Sequence, residues 1–184
     1  SLRQCGFTVY SRQRIWDLSD IPFPKNSPKC WRKAKDLDLI PIQSLHRKIV
    51  PPLLQQVENF TRSSAGMICE ADELLTYIEV RYGTRGIYLR PLIHPNADNI
   101  NEKLLTLLAS LSNKRELPIY ICVRSYQAWI EPMLEELGAK SGHRQAVMVK
   151  HLVNKVREEK KLPVSGEKAW ANPAPTIQRL DVEE

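Results

Sequence analysis

Pro118-Ile-Tyr-Ile-Cys-Val123 is an unbroken apolar run too short to make a helix. Such a run has to be a strand covered on both faces, so the chain must place helices or loops above and below a sheet. The surrounding sequence supplies both. Leu75, Tyr77, Glu79 and Arg81 alternate with Thr76, Ile78 and Val80, and Tyr82-Gly-Thr-Arg-Gly86 is turn chemistry before a second strand, Ile87 to Ile93. That is a hairpin. Asn99 to Leu111 carries Leu104, Leu107, Leu108 and Leu111 on one helical face, opened by an Asn99-x-x-Glu102 capping box. Ser125 is placed to cap a further helix carrying Trp129, Met133 and Leu137 up to a stop at Gly138, and Gln145 to Leu152 reads as the last strand. Upstream, Asp36 or Asp38 caps a helix through Leu39, Ile42, Leu45 and Ile49, with Pro41 tolerated in its first turn. Pro51 and Pro52 end it and open a second helix through Leu53, Leu54 and Val57.

The chain also echoes itself. Leu2, Gly6, Arg12 and Gln13 recur at one spacing as Leu134, Gly138, Arg144 and Gln145, each set reading as helix, glycine stop and strand. This reads as a duplicated unit of which the first copy keeps only its end: residues 1–20 a remnant, 21–30 a proline-rich linker, 31–152 the main domain, and 153–184 a charged, proline-containing tail. Phe7, Val9, Ile15 and Trp16 would expose a large apolar patch if the remnant hung free, so Thr8 to Trp16 is expected to pair with a sheet.

At 184 residues and 42% hydrophobic content a single core is expected. Cys5, Cys30, Cys69 and Cys122 are scattered, with neither a C-x-x-C pair nor histidines at ligand spacing, so no metal site or disulfide framework is indicated and a cytoplasmic location is expected. No apolar run is long enough to span a bilayer. The net charge of +6 is spread among Asp and Glu, which points away from specific nucleic-acid binding.

Trp31-Arg32 through Asp36-Leu37, Ile93-His94-Pro95, Leu104-Leu105 and the helix-glycine repeats at Gly6-Phe7 and Gly138 follow one another in an order that resembles the GNAT superfamily of acyl-CoA-dependent N-acyltransferases. The resemblance covers roughly residues 31–152 and implies a mixed, mostly antiparallel central sheet flanked by helices. It also implies a glycine-rich loop holding the coenzyme A pyrophosphate, a pantetheine arm bound strand-fashion between Ile87–Ile93 and Pro118–Val123, and a general-acid tyrosine four residues before the helix-end glycine. The family's glycines fall on Asn99 and Asn101, the tyrosine on Leu134, and an asparagine of the same helix on Gln127. Asparagine tolerates positive φ. Asp98, however, would set a carboxylate beside any bound phosphate. Arg124, at the end of a buried strand, is a candidate anion contact. Glu79 is a candidate base, with a carboxylate on the hairpin's wet face as the plainer reading; Tyr126 is a candidate acid, with packing as the plainer one. His94 and His46 are left in structural roles.

Two functions follow. One is a catalytically degenerate unit serving in protein interaction or assembly, with a protein partner or a preceding domain and no cofactor. The alternative is an active N-acetyltransferase using acetyl-CoA.

Overall fold

The computed structural model describes residues 2–22, 30–58, 66–69, 73–111 and 116–150. Seven strands follow in chain order: β1 (Thr8–Asp17), β2 (Trp31–Lys33), β3 (Gly66–Cys69), β4 (Thr76–Tyr82), β5 (Ile87–Ile93), β6 (Ile119–Arg124) and β7 (Lys140–Val149). They form one sheet in the order β2-β3-β4-β5-β6-β1-β7. Every pairing is antiparallel except β5 with β6, which run side by side. The architecture is a mixed α/β fold with a mostly antiparallel central sheet, and the expected β4–β5 hairpin is part of it.

Period-two alternation gives the sheet two apolar faces, and each takes its own helices. On one, Ile78, Val80, Ile87, Leu89, Ile93, Ile121 and Val123 meet Leu104, Leu107 and Leu108 of α3 (Ile100–Ser110) and Leu134 of α4 (Glu131–Glu136). On the other, Ile68, Tyr77 and Leu92 meet Ile42 and Leu45 of α1 (Leu39–Ile49), which is followed by the single turn of α2 (Pro52–Gln55). Trp31 ties the far edge down by donating its indole N–H to Lys103 O at 2.7 Å.

The segment Ser125–Ile130 is a 3₁₀ stretch, not the start of an α-helix, and Ser125 does not cap it. A kink at Gln127 (φ −119°, ψ 20°) interrupts the helical turn, and Gln127 and Ile130 face inward with Leu134. All three are buried, while Trp129, expected in the core, is 40% exposed. Two other cap assignments change as well. Asn99 precedes α3 as expected but sits in the left-handed region at φ 53° and makes no side-chain cap bond, so no capping box forms with Glu102. Asp38 stands at the cap of α1, yet its carboxylate is taken by Arg32 at 2.7 and 2.9 Å and by the Lys35 N–H at 2.7 Å. The last strand starts at Lys140, earlier than Gln145, because its first half carries no apolar residue to announce it. Residues 151–184, including the rest of that expected strand and the tail, lie outside the described residues, as does most of the linker.

β1 takes its place between β6 and β7. The echo in the sequence is also an echo in space. Gly6 and Gly138 are both left-handed, at φ 82° and 86°. Phe7 N–H donates to Leu2 O at 3.2 Å and Gly6 N–H to Arg3 O at 3.1 Å; Ala139 N–H donates to Leu134 O and Gly138 N–H to Glu135 O, each at 2.9 Å. These are two copies of one glycine-terminated turn; the second closes α4, while the first, expected as a helix end, is a turn only. Each leads into a ten-residue strand, and the strands pair antiparallel with Gln13 opposite Gln145. Those two glutamines, 132 residues apart, share a 2.8 Å bond from Nε2 to Oε1. A local two-fold axis therefore passes through the Gln13–Gln145 pair.

Candidate functional site

Where two parallel strands separate, their facing backbone groups need new partners. β5 and β6 stay in register for Ile87, Leu89 and the residue between them, then part. Beyond that point β5 has little to offer. Pro91 has no N–H. Its carbonyl accepts from Gln127 Nε2 at 2.8 Å, and Ile93 N–H donates to Gln127 Oε1 at 2.9 Å. The Gln127 side chain is 1% exposed and lies along the β5 edge as a fragment of a neighbouring strand would.

The same gap is closed on the α1 face by charge. Glu58, just past α2, has a carboxylate that is 2% exposed. Its Oε2 accepts from Arg90 at 2.8 Å and from the Tyr126 hydroxyl at 2.7 Å, and its Oε1 lies 3.1 Å from Arg124 Nε. Arg124 also donates to Gln13 Oε1, which ties β1 to the same cluster through Arg124. Burial, then the bond to Glu58, raises the Tyr126 hydroxyl pKa above the ordinary phenol value. Burial likewise raises the neighbouring Cys122 thiol, which leaves it protonated and a poor nucleophile. Glu58 Oε2 is held by Arg90 and the Tyr126 hydroxyl, while Oε1 faces Arg124 as an ion pair without a hydrogen bond. The carboxylate acts as a clamp between these strands.

The sequence candidates are thereby placed. Tyr126 and Arg124 come together on Glu58. Glu79 is buried on the same face as Tyr77, not on a wet one, and its Oε1 accepts from Arg81 at 2.9 and 2.8 Å. Asn99 and Asn101 stand at the start of α3, with Asp98 exposed beside them. His46 is on the buried face of α1, and burial lowers its pKa. His94 Nδ1 accepts from Asn96 N–H at 3.2 Å in the turn ahead of α3. No group of metal-ligating side chains occurs among the described residues, and none of their helices is long and apolar enough to cross a membrane.

No protein-family model matches the chain, and no curated protein matches its sequence. Solved structures do. One putative acetyltransferase of the GNAT family, from Novosphingobium aromaticivorans, superposes with a TM-score of 0.55 at 13% identity over 80% of this chain and 69% of its own. A GCN5-related N-acetyltransferase from Sphaerobacter thermophilus gives 0.51 at 11% identity, covering 80% of this chain and 53% of that one. This chain has the GNAT fold. A functionally unknown conserved protein from Staphylococcus epidermidis is similar too, at TM-score 0.54 and 9% identity over 78% of this chain and 62% of that chain. The chain thus spans only 53–69% of the length of these three structures.

Within the GNAT fold, Glu58 and Pro91 are the site residues that sequence reasoning missed. Glu58 carries no local signal, since each of its partners arrives from a distant segment. Pro91 was visible as a proline inside a strand, a residue that marks an edge with an unneeded donor.

Proposed function

We propose that this GNAT-fold domain is a non-catalytic module that serves in assembly. One observation carries the reading: the Gln127 amide occupies the carbonyl of Pro91 and the N–H of Ile93, the backbone groups a strand-like pantetheine arm would use, and Pro91 removes the remaining donor. Coenzyme A does not fit the residues present. Asn99 keeps the left-handed turn at the start of α3, but Asp98 adds a negative charge where a pyrophosphate would need bare N–H groups. Leu134, at the tyrosine position of the family, is fully buried and has no proton to give. The structures it resembles are named acetyltransferases, and active acetyl transfer is the reading that the experiment must defeat.

Titration calorimetry with acetyl-CoA decides between them. The unmodified chain is expected to show no binding at concentrations up to about 1 mM, the level of a −4 kcal/mol interaction. A variant carrying Asp98→Arg, Asn99→Gly, Asn101→Gly and Gln127→Ala is expected to bind better. Micromolar affinity in the unmodified chain, with transfer to an amine, returns the domain to the enzymes.

A further inference from the structure

The outer side of β7 is the open end of the sheet: among the described residues no strand pairs with it. Long edges of this kind are ordinarily broken by charge, proline or a bulge turned outward. Here the two halves of the strand differ. Lys140-Ser-Gly-His-Arg144 carries cationic and polar groups, whereas Gln145-Ala-Val-Met-Val149 carries no charge and no proline, a segment with high strand propensity.

The local two-fold says what belongs on that half. β6 pairs with β1 through Gln13, Arg14, Ile15, Trp16 and Asp17. Carried across the axis, those five positions become Gln145, Ala146, Val147, Met148 and Val149, which are the uncharged half of β7. The symmetry mate of β6 is a strand lying antiparallel on them. Trp16, whose counterpart is Met148, is 1% exposed in the core cluster that holds Ile121, Ile130 and Leu134. Val147, Met148 and Val149 are already half-covered, while residues 140–146 are exposed.

We propose that the edge of β7 from Gln145 to Val149 is the docking site for a second GNAT-like unit ahead of Leu2 in the polypeptide. That unit's counterpart of Ile119–Arg124 lies on β7, as β6 lies on β1, and the two units share one continuous sheet with β1 and β7 exchanged across its centre. Two independent features meet in this assignment. The duplicated glycine turns and the β1–β7 register give the axis, and the uncharged pentamer coincides with the positions the axis selects. The proposal rests on the sheet and the repeat, not on the absence of catalysis, so it can fail or stand without the reading above.

Amide hydrogen exchange tests it on two samples: the 184-residue chain, and the natural polypeptide including whatever precedes Leu2. The expected result is rapid exchange of the outward amides among residues 145–149 in the shorter chain and protection by about tenfold or more in the longer one. Met148→Glu in the longer polypeptide should remove that protection while the β4 and β5 amides keep theirs. Because that variant could misfold the preceding unit, Ala146→Lys provides a second perturbation at the edge, with the same loss expected. Equal exchange in both samples, or no helix-glycine-strand unit ahead of Leu2, overturns the proposal. So does protection in the shorter chain that follows its dimerisation in analytical ultracentrifugation, which would make the occupant a second copy. Protection that vanishes when residues 152–184 are removed would assign the edge to the tail instead.

Discussion

Replacing Gln127 by methionine keeps the volume of the side chain and removes both of its polar ends. Ile93 N–H and Pro91 C=O would then be left in a buried gap that is 1% open at the glutamine. A buried polar group deprived of its partner costs about 1–3 kcal/mol. Two such groups, offset by no longer burying an amide, give about 2–4 kcal/mol. With a urea dependence of about 2 kcal/mol per molar for a domain of this size, the unfolding midpoint should fall by about 1–2 M. Gln127→Glu sharpens the test. A carboxylate still accepts from Ile93 N–H but faces the Pro91 carbonyl with no proton, so its folded-state pKa should be raised. Stability in that variant is then present below the unfolded carboxyl value, about 4.3, and lost as pH rises through the folded one. Equilibrium urea curves at pH 4 and pH 7 read both effects. A methionine variant within about 0.3 M of the parent, or a glutamate variant indifferent to pH, would mean that Gln127 is not what satisfies the β5 edge.

Glu58→Gln should destabilise by about 3 kcal/mol, because it leaves the partly buried Arg90 and Arg124 facing a neutral amide. Adding Arg124→Met should recover part of that loss, and strict additivity of the two in urea midpoints would contradict a shared clamp. Arg32 holds the Asp38 carboxyl down to about 2 from an ordinary 3.8. The stabilisation from that pair is complete above the unfolded value and should drain away as pH falls from about 4 to 2. Melting temperatures across that window should show the loss, and Arg32→Met should flatten it. Gly6→Ala and Gly138→Ala should each cost about 1 kcal/mol for a left-handed backbone. Gly138 has open space around a would-be Cβ, so no steric loss is added there; a stabilised Gly138→Ala in thermal unfolding would refute the assignment.

The β4–β5 hairpin and α3 were legible because their signals are local: alternation, a glycine turn, and leucines at helical spacing. The buried strand β6 was legible for the same reason. Partner choice was not. Nothing within Thr8–Asp17 says that it will lie between β6 and β7, although the repeated helix-glycine-strand pattern hinted that the two ends belonged together. At Asn99 one residue type serves two devices, a side-chain cap and a left-handed turn, and the sequence cannot tell which is used. The buried faces of Ser125–Glu136 were misread because the chain kinks at Gln127 instead of running as one regular helix, which turns Gln127 and Ile130 inward and leaves Trp129 exposed. The Glu58 clamp stayed invisible since its partners come from β5, β6 and the turn beyond, joined only when the sheet forms.

The position of β1 also sets the order in which this molecule can be made. β6 and β7 do not bond to each other; each is bonded to β1. On a ribosome, the Thr8–Asp17 segment must therefore wait, unpaired, until β6 has emerged, and half-paired until β7 follows. Loops closed over such spans carry a large entropic penalty before any contact rewards them. Folding should accordingly be slow for a chain of this length. A strand carrying Val9, Ile15 and Trp16 stays exposed in the meantime, a natural target for a holding chaperone and the first point at which synthesis under heat stress would end in aggregates.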